Sequence, residues 1–108
     1  MVGIDAFKEL ELRVGKITNV EEHEKARKPM YKITLDLGEA GERSVVAGIK
    51  PWYTKEELVG KSVICLANLE PKEIAGAVSH GMILAAEDES GVALLTLDKP
   101  IKAGSLIH

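Results

Sequence analysis

From Tyr31 to Leu37 every second residue is apolar, with Tyr31, Ile33, Leu35 and Leu37 on one side of an extended chain and Lys32, Thr34 and Asp36 on the other. A period of two cannot bury one face on a helix, so this run is read as a half-buried strand that stops at Gly38. The rest of the chain follows the same rule. Glu11 to Val20 alternates up to Gly15 and then shifts phase, which predicts a bulge or sharp coil there, the bend that a small barrel needs to close. Further strands are expected over Arg43–Ile49, Ser62–Leu69 and Met82–Glu87, with a short pair from Val92 to Leu97 after the turn-like Glu89-Ser90-Gly91. Val45-Val46-Ala47 and Val63-Ile64-Cys65-Leu66 are apolar on both faces, as expected for central strands with outer cover.

Helical signals are few. Thr54-Lys55-Glu56-Glu57 reads as a capping box leading into Leu58-Val59 and ending at Gly60, and a second turn is expected over Asp5–Leu10. Five principal strands, one short helix between the third and fourth, and glycines at the bends fit an all-β, partly open Greek-key barrel better than a sandwich or an α/β fold. An SH3-like barrel satisfies the same pattern. With 108 residues there is room for one core, so residues 1–108 are read as one domain.

Several kinds of chemistry lack their residues. His23, His80 and His108 lie far apart, with no cysteine or carboxylate at metal-ligand spacing, so no metal site is expected. Ser79-His80 has no nucleophile-elbow context and reads as a polar loop. No phosphate-cradling glycine loop is present, so neither a nucleotide cofactor nor an enzymatic activity is predicted. A single cysteine, Cys65, excludes an internal disulfide, and its apolar neighbours make it core filling. The N-terminus meets Asp5 before an apolar stretch of signal length can form, and no apolar run approaches a membrane span. A cytoplasmic protein with no membrane partner is expected.

Net charge matters for what the protein can bind. Fourteen Lys and Arg against seventeen Asp and Glu give −3, so any site for a polyanion must be local. One segment stands out: Lys25 to Lys32 carries Lys25, Arg27, Lys28 and Lys32, with no carboxylate and one tyrosine. Cations beside an aromatic can supply phosphate contacts and a stacking surface for an unpaired base, with Arg27 able to pair at two points. The alternative is a solvated loop with Tyr31 in the core.

Motifs along nearly the whole chain resemble the tRNA-binding domain found in the C-terminal extension or beta subunit of methionyl-tRNA synthetases, in free-standing tRNA-binding proteins and in EMAP II-like proteins. The segments, in order, are Leu12-Arg13-Val14-Gly15-Lys16-Ile17, Val20-Glu21-Glu22-His23 with Ala26, Leu35-Asp36-Leu37-Gly38-Glu39, Val46-Ala47-Gly48-Ile49, Tyr53 to Lys61, Ala67-Asn68-Leu69-Glu70-Pro71-Lys72, and Ser79-His80-Gly81-Met82-Ile83-Leu84-Ala85-Ala86. The resemblance implies a five-stranded OB-fold barrel with a C-terminal extension that holds the outer corner of tRNA by shape and backbone contacts. It also implies a homodimer, association with methionyl-tRNA synthetase, and tRNA contacts from Lys16, Asn19, Arg27, Lys28, Lys32, Lys72, Ser79 and Met82. For Met82 a core position is an equal expectation, and Asn68 is expected to pair with backbone. One loop departs from this pattern. Ala26-Arg27-Lys28-Pro29-Met30-Tyr31-Lys32 is similar to the CsaA-type chaperones, a sister branch that implies a dimer binding unfolded polypeptide.

Overall fold

The computed structural model describes residues 1–108. After a short helix α1 (Ile4–Lys8) the chain forms β1 (Leu12–Glu22), β2 (Tyr31–Asp36), a 3-10 turn (Gly38–Ala40), β3 (Glu42–Ala47), α2 (Lys55–Leu58) and β4 (Ser62–Leu66). There follow β5 (Lys72–Ile74), β6 (Ala77–Ser79), β7 (Met82–Ile83), β8 (Ala85–Asp88) and β9 (Gly91–Leu94). The main sheet is antiparallel in the order β3-β2-β1-β4-β7, and β7 packs back against β3, so the sheet curls into a nearly closed barrel. Strand β4 lying beside β1 is the Greek-key return. The expected OB-type architecture is therefore present, with β5–β6 and β8–β9 as separate hairpins.

Alternation along β2 fills the barrel: Ile33, Leu35 and Leu37 are fully buried among Ile17, Val45, Leu58, Val63 and Cys65. A second, outer core lies on the other face of β4, where Leu12, Ile64 and Leu66 are covered by Leu84, Leu97 and Ile107. These two cores explain the two-faced apolar run in β4. They also correct the reading of β1. The phase change at Gly15 marks a switch of the covered face, from Leu12 and Val14 beside β4's outer residues to Ile17 inside the barrel. The bulge itself lies further on, where the register slips between Ile17 and Asn19. At Gly15 an added methyl group would meet the end of the Leu37 side chain at 3.1 Å, so a larger residue there would press on the barrel interior.

Other boundaries differ from expectation for local reasons. The run Met82–Glu87 is broken at Leu84, whose side chain turns to the outer core, so that Met82–Ile83 pairs with β4 and Ala85–Asp88 pairs with β9. Strand β4 ends at Leu66 because Asn68 leaves the sheet to accept from the Glu11 N–H at 2.9 Å and donate to the Glu9 carbonyl at 2.8 Å, the structural pairing expected of it. Hairpin β5–β6 is not foreshadowed by patterning. Its two-residue turn holds Ala75 at φ 50° and Gly76 at φ 89°, a primed turn in which asparagine would be more usual than alanine, at a cost of about 1–2 kcal/mol.

The capping box on α2 forms as expected: Glu57 N–H donates to Thr54 Oγ1 at 3.2 Å and Thr54 N–H to Glu57 Oε1 at 2.7 Å. It seats the fully buried Leu58 in the core. Thr54→Ala is expected to destabilise the protein by about 1 kcal/mol, measured by urea denaturation, with an unchanged m-value.

Candidate nucleic-acid interface

The outer face of β1–β2 positions three of the expected contacts. Lys16 stands opposite Asp36, Asn19 opposite Thr34, and Lys32 opposite Glu21, all pointing away from the barrel interior because their neighbours Ile17, Val20, Ile33 and Leu35 point inward. The Lys32 ammonium reaches Glu21 only at 4.0 Å, while Lys16 lies at the far end of the β2 ladder.

Loop 23–30, which joins β1 to β2, carries Lys25, Arg27 and Lys28. Its base is closed by the His23 N–H donating to the Met30 carbonyl at 3.0 Å, and a turn forms where the Ala26 N–H donates to the His23 carbonyl at 3.2 Å. Arg27 and Lys28 are exposed and make no ion pair. Two adjoining clefts share Glu22, His23 and Glu24. One, of about 240 Å³, is walled by Arg27, Lys28 and Lys50, and the other, of about 210 Å³, by Lys25, Lys32 and residues 75–77 of the β5–β6 turn. The fold thus gathers Lys25, Arg27, Lys28 and Lys32 with Lys50, which the sequence pattern does not single out because it lies eighteen or more residues away. Glu22 binds Lys50 at 2.6 Å, which holds that carboxyl below its ordinary range and Lys50 above its own. This pairing neutralises both groups, leaving Lys25, Arg27, Lys28 and Lys32 as the cations of the two clefts without a close ion pair.

The other expected contacts separate into exposed and enclosed groups. Lys72 is exposed on β5, and Met82, 47% exposed on β7 beside Leu66, is on the surface rather than in the core. Ser79 is not in a polar loop: it ends β6, is buried, and its hydroxyl accepts from the Val46 N–H at 2.9 Å and donates to the Gly81 carbonyl at 3.3 Å. Its hydroxyl is committed to joining β6 to β3. Tyr31 is buried as well, donating through its hydroxyl to the Tyr53 carbonyl at 2.7 Å, so the stacking role gives way to the core role. Cys65 lies in the core, where burial pushes its thiol above the ordinary range. No helix is long and apolar enough to cross a membrane.

A curved, nearly closed antiparallel barrel with a Greek-key return and a cation-bearing loop at one end defines an OB-type fold. Residues 12–106 match the family model described as "Putative tRNA binding domain", and the chain belongs to that family. It is 50% identical over 108 residues to the methionine–tRNA ligase of Methanococcus maripaludis and 47% identical to that of Methanocaldococcus jannaschii. In both cases the match spans 16% of the ligase's length. Among solved structures it resembles the CsaA chaperone protein of Picrophilus torridus, with a TM-score of 0.94 and 35% identity, both chains being wholly covered. It also resembles a MetRS-related protein of Pyrococcus horikoshii, with a TM-score of 0.90 and 32% identity, covering 100% of this chain and 98% of that one.

Proposed function

We propose that the chain is a non-catalytic, cytoplasmic tRNA-binding module that grips the outer corner of tRNA through backbone contacts and raises the tRNA concentration available to a methionyl-tRNA synthetase. The observation that carries this reading is the gathering of Lys25, Arg27, Lys28 and Lys32 around two adjoining clefts, where Lys50 neutralises Glu22, in a protein whose net charge is −3. Phosphate contacts supply most of the affinity of such a surface, and the identity with methionine–tRNA ligases supports that assignment of the ligand. Lys16, Asn19, Lys72 and Met82 extend the contact surface, whereas Ser79 serves it indirectly by holding the β6 end in place.

A chaperone reading has one structural feature in its favour. Ile4, Phe7, Leu10, Leu106 and Ile107 line a groove of about 690 Å³ between α1 and the C-terminal residues, apolar enough to take an extended peptide or a second copy. A gel shift with total tRNA at low and moderate salt, challenged with an unfolded-peptide competitor, separates the readings. Retardation by tRNA that the peptide leaves unchanged is expected; peptide binding without tRNA binding would reverse the assignment.

The exposed Ile4, Phe7, Leu10 and Leu106 of that groove predict a symmetric homodimer. Light scattering at micromolar concentration is expected to give twice the mass of 11.7 kDa, and a monomer would remove the basis for two-site binding of an L-shaped RNA.

A further inference from the structure

Between β3 and α2 the chain builds a cleft of a different kind. Residues 52–53 form one wall and residues 86–88 and 90–93 of the β8–β9 hairpin the other, around about 390 Å³, within the range of roughly 300–1,000 Å³ usual for ligand sites. Both walls are fixed to the barrel. The Trp52 and Tyr53 N–H groups donate to the Ile49 carbonyl at 3.0 and 3.1 Å, and the Tyr53 carbonyl accepts from the Tyr31 hydroxyl of β2. The Tyr53 hydroxyl accepts in turn from the Leu94 N–H of β9 at 3.0 Å, so one side chain ties the walls together. Val92 and Leu94 pack against the core from the hairpin side. The cleft is preformed, and a ligand need not order its walls.

Trp52 is the one tryptophan of the chain and is 42% exposed. The edge of its indole rests on Gly91, where a Cβ would lie 2.6 Å from Nε1 and 2.7 Å from Cδ1. Gly91 is also at φ 137°, so it takes a glycine to let the ring settle on the turn. Much of the indole is still left in water, although tryptophan has more to gain from cover than other side chains and is enriched where surfaces bind.

The charges around it have one sign. Glu87 and Asp88 line the cleft, no lysine or arginine does, and neither carboxylate belongs to an ion pair. Ser90 holds Asp88 as an anion: its hydroxyl donates to Asp88 Oδ1 at 2.6 Å and its N–H at 2.8 Å, which keeps the carboxyl below its ordinary range. A phosphate is repelled here. A guanidinium meets both features, since its flat face stacks on an indole and its N–H groups pair with carboxylates. Trp52, Glu87, Asp88 and Ser90 are all exposed, so the cleft suits a side chain projecting from another surface better than a free molecule to be enclosed.

We propose that this cleft receives an arginine side chain of a protein partner, stacked on Trp52 and paired with Glu87 and Asp88. The inference goes beyond the tRNA reading and does not rest on it, because the cleft shares no residue with the cation-bearing clefts or with the groove at α1. Trp52 fluorescence of the full chain reads this cleft alone, there being no second tryptophan. Titration with acetylated tri-arginine amide is expected to give a saturable change in emission, and tri-citrulline amide, of like shape without the charge, none. Glu87→Gln combined with Asp88→Asn should weaken tri-arginine binding by about fivefold, the loss expected from two exposed ion pairs. The asparagine amide keeps an oxygen for Ser90 to donate to, so the turn is retained, with thermal melting as the control. Arg27→Ala combined with Lys28→Ala, outside the cleft, should respond as the wild type does. An equal response to tri-citrulline, or full affinity in the Glu87 and Asp88 variant, would overturn the proposal. So would a change in emission on adding an oligouridylate, which would make Trp52 a base-stacking surface. Emission that varies with the concentration of the chain alone, and ceases to in the Arg27 and Lys28 variant, would seat the basic loop of a second copy here and overturn the separate partner. Failure of the tRNA gel shift would leave each of these outcomes as it stands.

Discussion

Replacing Arg27 and Lys28 together with alanine is expected to weaken tRNA binding by about tenfold or more at moderate salt and to make its salt dependence shallower. Each phosphate that a cation neutralises releases condensed counterions, so the log–log slope should fall by about 0.7 to 0.9 for each phosphate left without its cation. The fold should survive, because both side chains are exposed and unpaired, and such charges contribute on the order of 1 kcal/mol or less. Filter binding across a salt series, with thermal melting as the control, gives both readouts. Glu56→Gln, an exposed change on α2, tests for a general effect of charge. An unaltered slope in the double variant would mean that the loop is only solvated surface, and a selective loss of peptide binding would move it to the chaperone reading.

Gly81→Ala is expected to cost on the order of 3 kcal/mol of stability, lowering the melting temperature by roughly 10 °C or more. Gly81 is buried with φ 111°, where an added Cβ would lie 2.8 Å from the Leu66 carbonyl oxygen and 3.3 Å from Cys65 Sγ. Those atoms belong to β4, and the backbone cannot retreat without opening the β4–β7 pairing that completes the barrel. Gly41→Ala offers the comparison: its φ is 86° but nothing lies within 4 Å, so it should report the cost of backbone conformation alone. Calorimetry showing equal losses for the two variants would remove the steric part of the account. Gly81 is thus a closure residue inside the Ser79-His80-Gly81-Met82 segment, and two of the segment's four positions, Ser79 and Gly81, are explained by barrel assembly.

This bears on how far the sequence could be read. Strand β2 was legible because its alternation has one cause, a barrel interior on one side and water on the other. Strand β1 was harder, since its two halves bury opposite faces against different cores, and a change of covered face has the same pattern as a bulge. The β5–β6 hairpin leaves no alternating pattern in the sequence because it is held by His23, Ser79 and His80 rather than by a run of apolar residues. For the site, like charges close in sequence pointed to Lys25–Lys32 directly. Nothing in the spacing could show that Lys50 neutralises Glu22 across the fold, or that the Ser79 hydroxyl turns inward.

The C-terminal residues run back along the first half of β1. The Gly104 and Ile107 N–H groups donate to the Val14 and Leu12 carbonyls, the Val14 N–H donates to Ser105, and the Arg13 guanidinium donates to the Gly104 carbonyl at 2.7 Å. These bonds cover the part of β1 that β2 does not reach, and they bring His108 into the same groove as α1. Both chain ends therefore emerge side by side, while the cation loop and the hairpin tip lie along clefts that share no residue with that groove. A barrel wired this way behaves as a plug-in cassette: another polypeptide joined near the paired ends, or a surface loop that takes the barrel as an insert, leaves its cation-bearing side unthreaded and unshielded.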